Sequence, residues 1–466
     1  MQNRVKVGVA LLATIPTWVV AKEQPNLIII MTDEHNFRTL SCYRESLPDD
    51  QAKIWGEAAA KIETPNIDRI AKMGVMMQNF NSVQPVSSPS RGSFFTGLYP
   101  QRNGVVKNDL FMNEDVRTIG DELRDEGYQT GYCGKLHLYG DSKPGWQPQR
   151  DFGFTDNRYM FNRGHWKILR LGAEGEGIAE NMGKTALEDL NEDIFTTDFL
   201  TNRTLEYIDE NYDKPFCYVL NIPDPHDPNT VREPYASMYN DIPFEMPMSS
   251  THPNGQLSWQ RASEDLAFYR SSNYFAHYFG MVSCIDLNVG RVLDKLEQRG
   301  ILDNTIVVFT ADHGDMMGEH NRDNKDVPYV ASMKVPMLIY YKDKIVAGSI
   351  ATHTMGSVDF VPTILSMMGV EAKQQSDGRD MSDLLAKNQM PDGCIDMVIS
   401  KMQTWIAAVT PRYKLIFTKT GQVTAPVLYD LQEDPHELYD LYGDKAYEAQ
   451  IKEMAQFILD YMQQHD

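Results

Sequence analysis

Four apolar runs in this chain stop abruptly at residues able to do chemistry. NLIIIMTDEHN leads into Asp33 and Glu34, YQTGYCGKLHL into Lys135 and His137, FCYVLNIPDPHDP into His226, and TIVVFTADHG into Asp312 and His313. One at a time these residues have ordinary explanations. An Asp after a strand forms a turn or caps a helix, a lone His is a satisfied structural group, and a Lys is a solvated charge. Their coincidence points to a shared site, because ligands of open α/β sheets gather outside the carboxyl ends of the strands. Asp33, Glu34 and Asp312 offer hard carboxylate oxygens, which suit Ca2+ or Mg2+ better than zinc. His313 is a less usual Ca2+ ligand and can instead hydrogen-bond a bound anion. An oxygen-rich cation beside Lys135 and the histidines is a place to hold phosphate or sulfate while its charge redistributes.

A fifth stretch, SVQPVSSPSRGSFFTGLYP from Ser82 to Pro100, concentrates hydroxyls before a helix start. Pro89 fits the first helical position with Ser88 as its cap. Ser87 then lies just ahead of a helix N-terminus, where backbone N–H groups favour an anion, and Arg91 adds a fixed positive charge. Serine and proline are good capping residues, so the bland reading is a cap; the other is that one serine is chemistry.

The elements that must position these groups alternate. Between the four strands lie helical patterns at TPNIDRIAKMG (Thr64 as cap, Pro65 first, Gly74 as stop), VRTIGDELRDEG, about Ser271 to Gly300, and SVDFVPTILSMMG, with VPMLIYY a further strand. After DGRDMSDLL the runs CIDMVIS, WIAAVT, YKLIFTK and PVLYDL are short and β-rich, and an amphipathic helix from about Lys445 to Gln464 closes the chain. The expected fold is α/β: a large mixed, mostly parallel sheet sandwiched by helices, plus a smaller C-terminal antiparallel sheet with a helix. The expected units are residues 22–380 for the α/β part and 381–466 for the C-terminal part.

Composition narrows the partners. The chain has 44 basic and 65 acidic residues, net −21, so nucleic acid is not expected, and an anionic substrate needs a local basic pocket. Arg4 and Lys6 precede the short apolar core VGVALLATIPTWVVA, which reads as a signal peptide over residues 1–21 cleaved before Lys22. That run falls short of the roughly 20 residues of a membrane span, so no stable span and a periplasmic or secreted location are expected. The cysteines, Cys42, Cys133, Cys217, Cys284 and Cys394, form no CxxC pair, and Cys133 and Cys217 read as core residues.

S-x-P-S-R followed by GSFFTGLYP resembles the sulfatase signature in its serine form, within the alkaline-phosphatase-like superfamily. PNLIIIMTDEH, TPNIDRIAKMGV, GKLHL, PDPHDP, TADHGDMMGEHN, and Lys325 with Tyr329 and Lys334-Val-Pro resemble further family elements in the family's order. The resemblance implies that a maturase oxidises Ser87 to formylglycine (3-oxoalanine). It implies that Asp33, Glu34, Asp312, His313 and modified Ser87 hold Ca2+, with Mg2+ a possible substitute. It further implies that a hydrated aldehyde attacks sulfur, that Arg91 and Lys135 stabilise charge, that His226 with Lys325 protonates the leaving alcohol, and that His137 takes the proton that releases sulfate. Glu34 departs from the Asp often found there, so that it either ligates a shifted cation or leaves its place to water, and Lys334 departs from an Arg. The implied enzyme is an exported sulfuric ester hydrolase acting on sulfated carbohydrate. The rival readings are a phosphatase or phosphodiesterase with an unmodified hydroxyl, and an inactive glycan-binding relative.

RYMFNRGHWKILR, Arg158 to Arg170, interleaves Arg158, Arg163, His165, Lys167 and Arg170 with Tyr159, Phe161 and Trp166. It is expected either to pack its aromatics on the core or to overhang the strand ends, with Arg163 and Trp166 gripping a glycan. His320 is a further candidate substrate contact.

Overall fold

A computed structural model of the chain describes residues 24–180, 189–251, 273–418 and 426–465; the expected signal peptide lies outside them. Ten strands belong to the N-terminal part: β1 Asn26–Asp33, β2 Val75–Asn81, β3 Gln129–Lys135, β4 Asp156–Phe161, β5 Ile168–Leu171, β6 Gly177–Glu180, β7 Phe216–Pro225, β8 Thr305–Ala311, β9 Met337–Tyr340 and β10 Ser349–Gly356. Eight form one sheet in the order β10-β2-β9-β8-β1-β7-β3-β4, and β5 with β6 makes a separate hairpin. Every pairing in the large sheet is parallel except the two made by β9.

All residues of β1, β7 and β8 are buried, as central parallel strands covered on both faces must be. Alternation along β1 divides it between two cores. Ile28 and Ile30 join the side chains of helices Pro65–Met73, Thr196–Asn211 and Tyr274–Gln298, while Leu27, Ile29 and Met31 join those of helices Ser87–Thr96, Ile119–Asp125 and Phe360–Met368. Helix, sheet and helix therefore stack in layers, with β1 at the centre. Strands β2, β4 and β10 and helix Thr196–Asn211 add to the elements expected from the sequence. In β2 and β10 buried positions mix with partly exposed ones, so neither presents the unbroken apolar run that marks the central strands.

Strands β11 Val398–Lys401, β12 Trp405–Val409, β13 Tyr413–Thr418 and β14 Val427–Asp430 form the expected antiparallel sheet. One face packs on Met454, Ile458 and Tyr461 of the closing helix Glu448–His465. The other packs on Met316, Val327, Tyr329 and Met333, so the sheet backs the loop that carries Lys325. Helix Ser382–Lys387 places Leu384 and Leu385 in the same core as Phe360 and Ile364. Among the described residues no helix is long and apolar enough to cross a membrane.

Gly134 sits one residue before Lys135 with φ +99°, and a Cβ there would lie 1.8 Å from the Asn221 carbonyl oxygen of neighbouring β7. Gly127 has a similar φ of +87° and open space around it. Gly127→Ala is therefore expected to cost about 1 kcal/mol of backbone strain. Gly134→Ala is expected to cost several times more, since the two strands must separate. Thermal melting of the two variants separates the shared strain from the clash.

Candidate active site

Helix Ser87–Thr96 starts at Ser87, and its N-cap is Val86, extended at φ −147° and ψ 141°, without a side-chain cap. Ser88 is thus not the cap the sequence reading expected; its N–H donates to Asn108 Oδ1 at 2.9 Å. Pro89 is tolerated in the first turn because N–H groups there have no intrahelical acceptor. Ser87 Oγ lies 3.0 Å from His313 Nε2. Ser82 Oγ donates to Ser90 Oγ at 2.9 Å and Ser90 Oγ to the Asp312 carbonyl, which ties this loop to the end of β8.

Ser87 and Arg91 are four apart and share one helix face. Arg91 is wholly buried. Its Nη2 donates to Asp33 Oδ2 at 3.0 Å, Nε to Asp312 Oδ2 at 2.9 Å, and Nη1 to the Lys135 carbonyl at 2.8 Å and Asn221 Oδ1 at 2.7 Å. Lys135 Nζ also pairs with Asp33. Burial alone would raise the Asp33 pKa, but Lys135 and Arg91 overcome it and hold the carboxyl well below its ordinary range. Burial and Arg91 push Lys135 down, with Asp33 resisting.

Among the described residues, Asp33 Oδ1 and Glu34 Oε1 of this centre are buried without a hydrogen-bond partner. An orphaned carboxylate oxygen in a dry interior costs about 1–3 kcal/mol or more, and a cation removes that cost. Ligand atoms of Asp33, Asp312 and His313 lie within 4.8 Å of one another. The carboxylate-rich set fits a hard divalent ion.

Glu34 reaches the other side of the site. Its Oε2 accepts from Lys325 Nζ at 2.8 Å and lies 2.8 Å from His226 Nε2, while His226 Nδ1 lies 2.7 Å from Asp227 Oδ1. Burial would lower the His226 pKa, but Glu34, helped by Asp227, raises it to about 9. Glu34 and Asp227 thus favour the charged ring, against Lys325, whose Nζ lies 2.8 Å from the same Nε2. His137 is the opposite: burial, Lys135 and Arg91 push its pKa well down, so it is neutral. Its Nε2 lies 3.0 Å from Asp109 Oδ1.

The Arg158–Arg170 stretch enters the site by a route the sequence did not reveal. His165 stacks on His226, ring centroids 3.4 Å apart, and its Nε2 accepts from Lys135 Nζ at 2.8 Å. Lys167 is buried, donating to Asp224 and to the His226 carbonyl. It anchors His226 and is not a solvated charge steering a glycan. Arg158 pairs with Asp156, Arg170 with Glu180 and Arg163 with Asp109. Phe161 is core and Tyr159 packs edge-on against Phe199. Trp166 is partly buried against the core and donates its indole N–H to the Arg163 carbonyl at 3.1 Å. His320 stacks on Tyr329. The fold thus brings together Asp33, Glu34, Ser87, Arg91, Lys135, His226, Asp312, His313 and Lys325, all expected from the sequence, and adds Asp109, His165, Lys167 and Asn221 in positions that were not.

A sequence profile of the sulfatase family matches residues 25–370, and one described as N-sulphoglucosamine sulphohydrolase, C-terminal, matches residues 318–464. The chain is 27% identical to an N-acetylglucosamine-6-O-sulfatase of Bacteroides thetaiotaomicron, over 95% of this chain and 87% of that protein. It is 26% identical to an ulvan-active sulfatase of Formosa agariphila, over 92% and 80% respectively. A solved structure in complex with its substrate D-glucosamine-2-N,6-O-disulfate shares the fold with a TM-score of 0.76 at 24% identity, covering 95% of this chain and 98% of that one. A phosphonate monoester hydrolase of Silicibacter pomeroyi does so with a TM-score of 0.73 at 21% identity, covering 95% and 96%.

Replacing the guanidinium by an apolar chain of similar length tests how much the centre depends on it. Arg91→Met leaves Asp33 and Asp312 facing each other without their shared donor, and is expected to cost about 3–5 kcal/mol, read as a large fall in melting temperature. Arg91→Lys is expected to fall between, since one ammonium cannot reach all four acceptors.

Proposed function

The chain belongs to the sulfatase family and is a sulfuric ester hydrolase, and from that premise we propose that it is exported and removes sulfate from a sulfated carbohydrate, using Ser87 oxidised to formylglycine and one Ca2+ ion. The observation that carries this reading is the placement of Ser87. It stands in the first turn of a buried helix, beside His313, on the face that carries Arg91. A plain serine is a weak nucleophile there, and His313 beside it belongs to the group of residues that could hold the cation. Hydrated formylglycine supplies an activated hydroxyl and a second hydroxyl through which the product can be expelled.

Asp33, Asp312, His313 and the oxygen on residue 87 would hold the Ca2+, with Glu34 at its border, and the ion would offset the negative charge of sulfate. Arg91 and Lys135 keep fixed positive charge at the nucleophile and the sulfate. His226, charged and held by Glu34 and Asp227, gives a proton to the leaving alcohol, with Lys325 beside it. His137, neutral, takes the proton that frees the sulfate. The environments divide the acid and base roles between two histidines.

A cavity of about 480 Å3 opens on the His226 side, lined by Glu34, Asp227, Asn229, His277, Asp323 and Asn324. Carboxylates and amides accept hydrogen bonds from sugar hydroxyls, and this acid-rich wall favours a sugar whose other substituents are hydroxyl or amino groups. The names of the relatives, an N-acetylglucosamine-6-O-sulfatase and an ulvan-active sulfatase, support a carbohydrate. The shared fold of the phosphonate monoester hydrolase supports a second reading, cleavage of a phosphonate or phosphate diester at the same centre.

Mass analysis of the peptide containing Ser87, paired with sulfate release from defined sulfated sugars, tests the proposal. Active protein is expected to carry a peptide lighter by two hydrogens that reacts with an aldehyde probe. Protein from a host without the maturase is expected to keep plain serine and to lose at least about 100-fold in rate. Glucosamine 6-sulfate is expected to be turned over faster than its disulfated form. Full activity with plain Ser87, or turnover of a phenyl phosphonate but of no sulfate ester, favours the second reading.

A further inference from the structure

We infer that Asp109 is a positioning residue that fixes the proton of His137 on Nε2 and so leaves Nδ1 as the atom that accepts a proton during turnover. The inference rests on the reading of His137 as the base of the release step. Asp109 Oδ1 lies 3.0 Å from His137 Nε2, and Asp109 Oδ2 lies 3.0 Å from Arg163 Nη1. With both oxygens engaged, the carboxylate cannot rotate freely. An ionised carboxylate only accepts hydrogen bonds, so Nε2 must carry the hydrogen. Nδ1 is then a lone-pair acceptor, and it is buried with no hydrogen-bond partner among the described residues. A buried ring nitrogen left open as an acceptor is what a base waiting for its proton requires.

The backbone is arranged to bring the pair together. Asp109 and His137 both hold left-handed conformations, with φ of 67° and 60°. Each costs about 1–3 kcal/mol for a residue with a side chain and persists only where the surroundings over-determine it. Those surroundings are visible. The Met112 N–H donates to the Leu138 carbonyl at 3.1 Å and the Gly140 N–H to the Leu110 carbonyl at 3.3 Å. Phe111 meets Tyr139 edge-on with ring centroids 4.9 Å apart, and the His137 N–H donates to the Asn162 carbonyl at 2.6 Å. The loop before Met112 is thus stitched along the segment after His137, and the stitching delivers the carboxylate to the imidazole. Lys135, Arg91 and Arg163 are the positive groups, and Asp33 a negative one, that act on the same imidazole; none of them dictates which nitrogen is protonated. Arg163, expected to grip a glycan, holds the carboxylate that does.

The test reads the tautomer directly. Protein labelled with 15N-histidine and carrying unmodified Ser87 needs no maturation, and the His137 ring nitrogens are assigned by their loss in His137→Gln. The expected result is a neutral Nε2–H ring in the wild type and in Asp109→Glu. In Asp109→Asn, whose amide can donate to Nε2, a substantial share of Nδ1–H is expected. In matured enzyme, Asp109→Asn is expected to lower kcat about 100-fold with KM within about threefold, and Asp109→Glu to recover part of the loss. A wild-type ring protonated on Nδ1, or an Asp109→Asn ring and kcat unchanged while His137→Gln is inactive, overturns the inference alone. Full turnover in His137→Gln overturns both the inference and the catalytic reading beneath it.

Discussion

One buried guanidinium holds the site in register. Arg91 donates to Asp33 at the end of β1, to Asp312 just past β8, to the last carbonyl of β3 and to Asn221 in β7. These are the four strands whose ends carry the chemistry, and only the planar fork of arginine can reach acceptors in so many directions from one side chain. Taking such a charge out of water is costly unless its donors are used. Here two carboxylates, an amide and a carbonyl take four of its five N–H donors. The helix that presents Arg91 also presents Ser87 one turn earlier, so fixing the guanidinium fixes the hydroxyl at the strand ends as well.

The same interaction sets the charges. Arg91 and Lys135 keep Asp33 ionised despite complete burial, yet they engage only one of its oxygens and leave Oδ1 open. Glu34, its neighbour in sequence, faces away toward His226 and Lys325. In the proposed reaction one carboxylate therefore belongs to the nucleophile side and the next to the leaving-group side. The opposite shifts of His226 and His137 follow from their neighbours, since Glu34 raises the one while burial, Lys135 and Arg91 lower the other.

The central strands were legible because their apolar runs break off into charged residues, a pattern that burial on both faces imposes. The long helices were legible from periodicity and stops such as Gly74. Strands β2 and β10 were not, since partly exposed positions interrupt their apolar residues. The cap was misplaced by assigning Pro89 to the first helical position, when the unsatisfied N–H groups of the first turn allow it deeper. Within the site, residues in strong local contexts could be read one by one. Asp109, His165 and Lys167 could not. Asp109 looks like any loop acid, and its meaning comes from the backbone bonds that join Leu110 and Met112 to Gly140 and Leu138. Lys167 reads as a surface charge until Asp224 and the His226 carbonyl are seen to enclose it.

The proposed chemistry depends most on Asp33 and Asp312, both clamped by Arg91, holding a divalent cation, with Asp33 Oδ1 as the open oxygen. Calorimetric titration of Ca2+ into metal-stripped protein addresses this directly. The account predicts one ion bound per chain, with Asp33→Asn and Asp312→Asn each weakening it by about 100-fold or more, roughly 2.7 kcal/mol. Absence of binding, or an affinity that neither substitution changes, would contradict it.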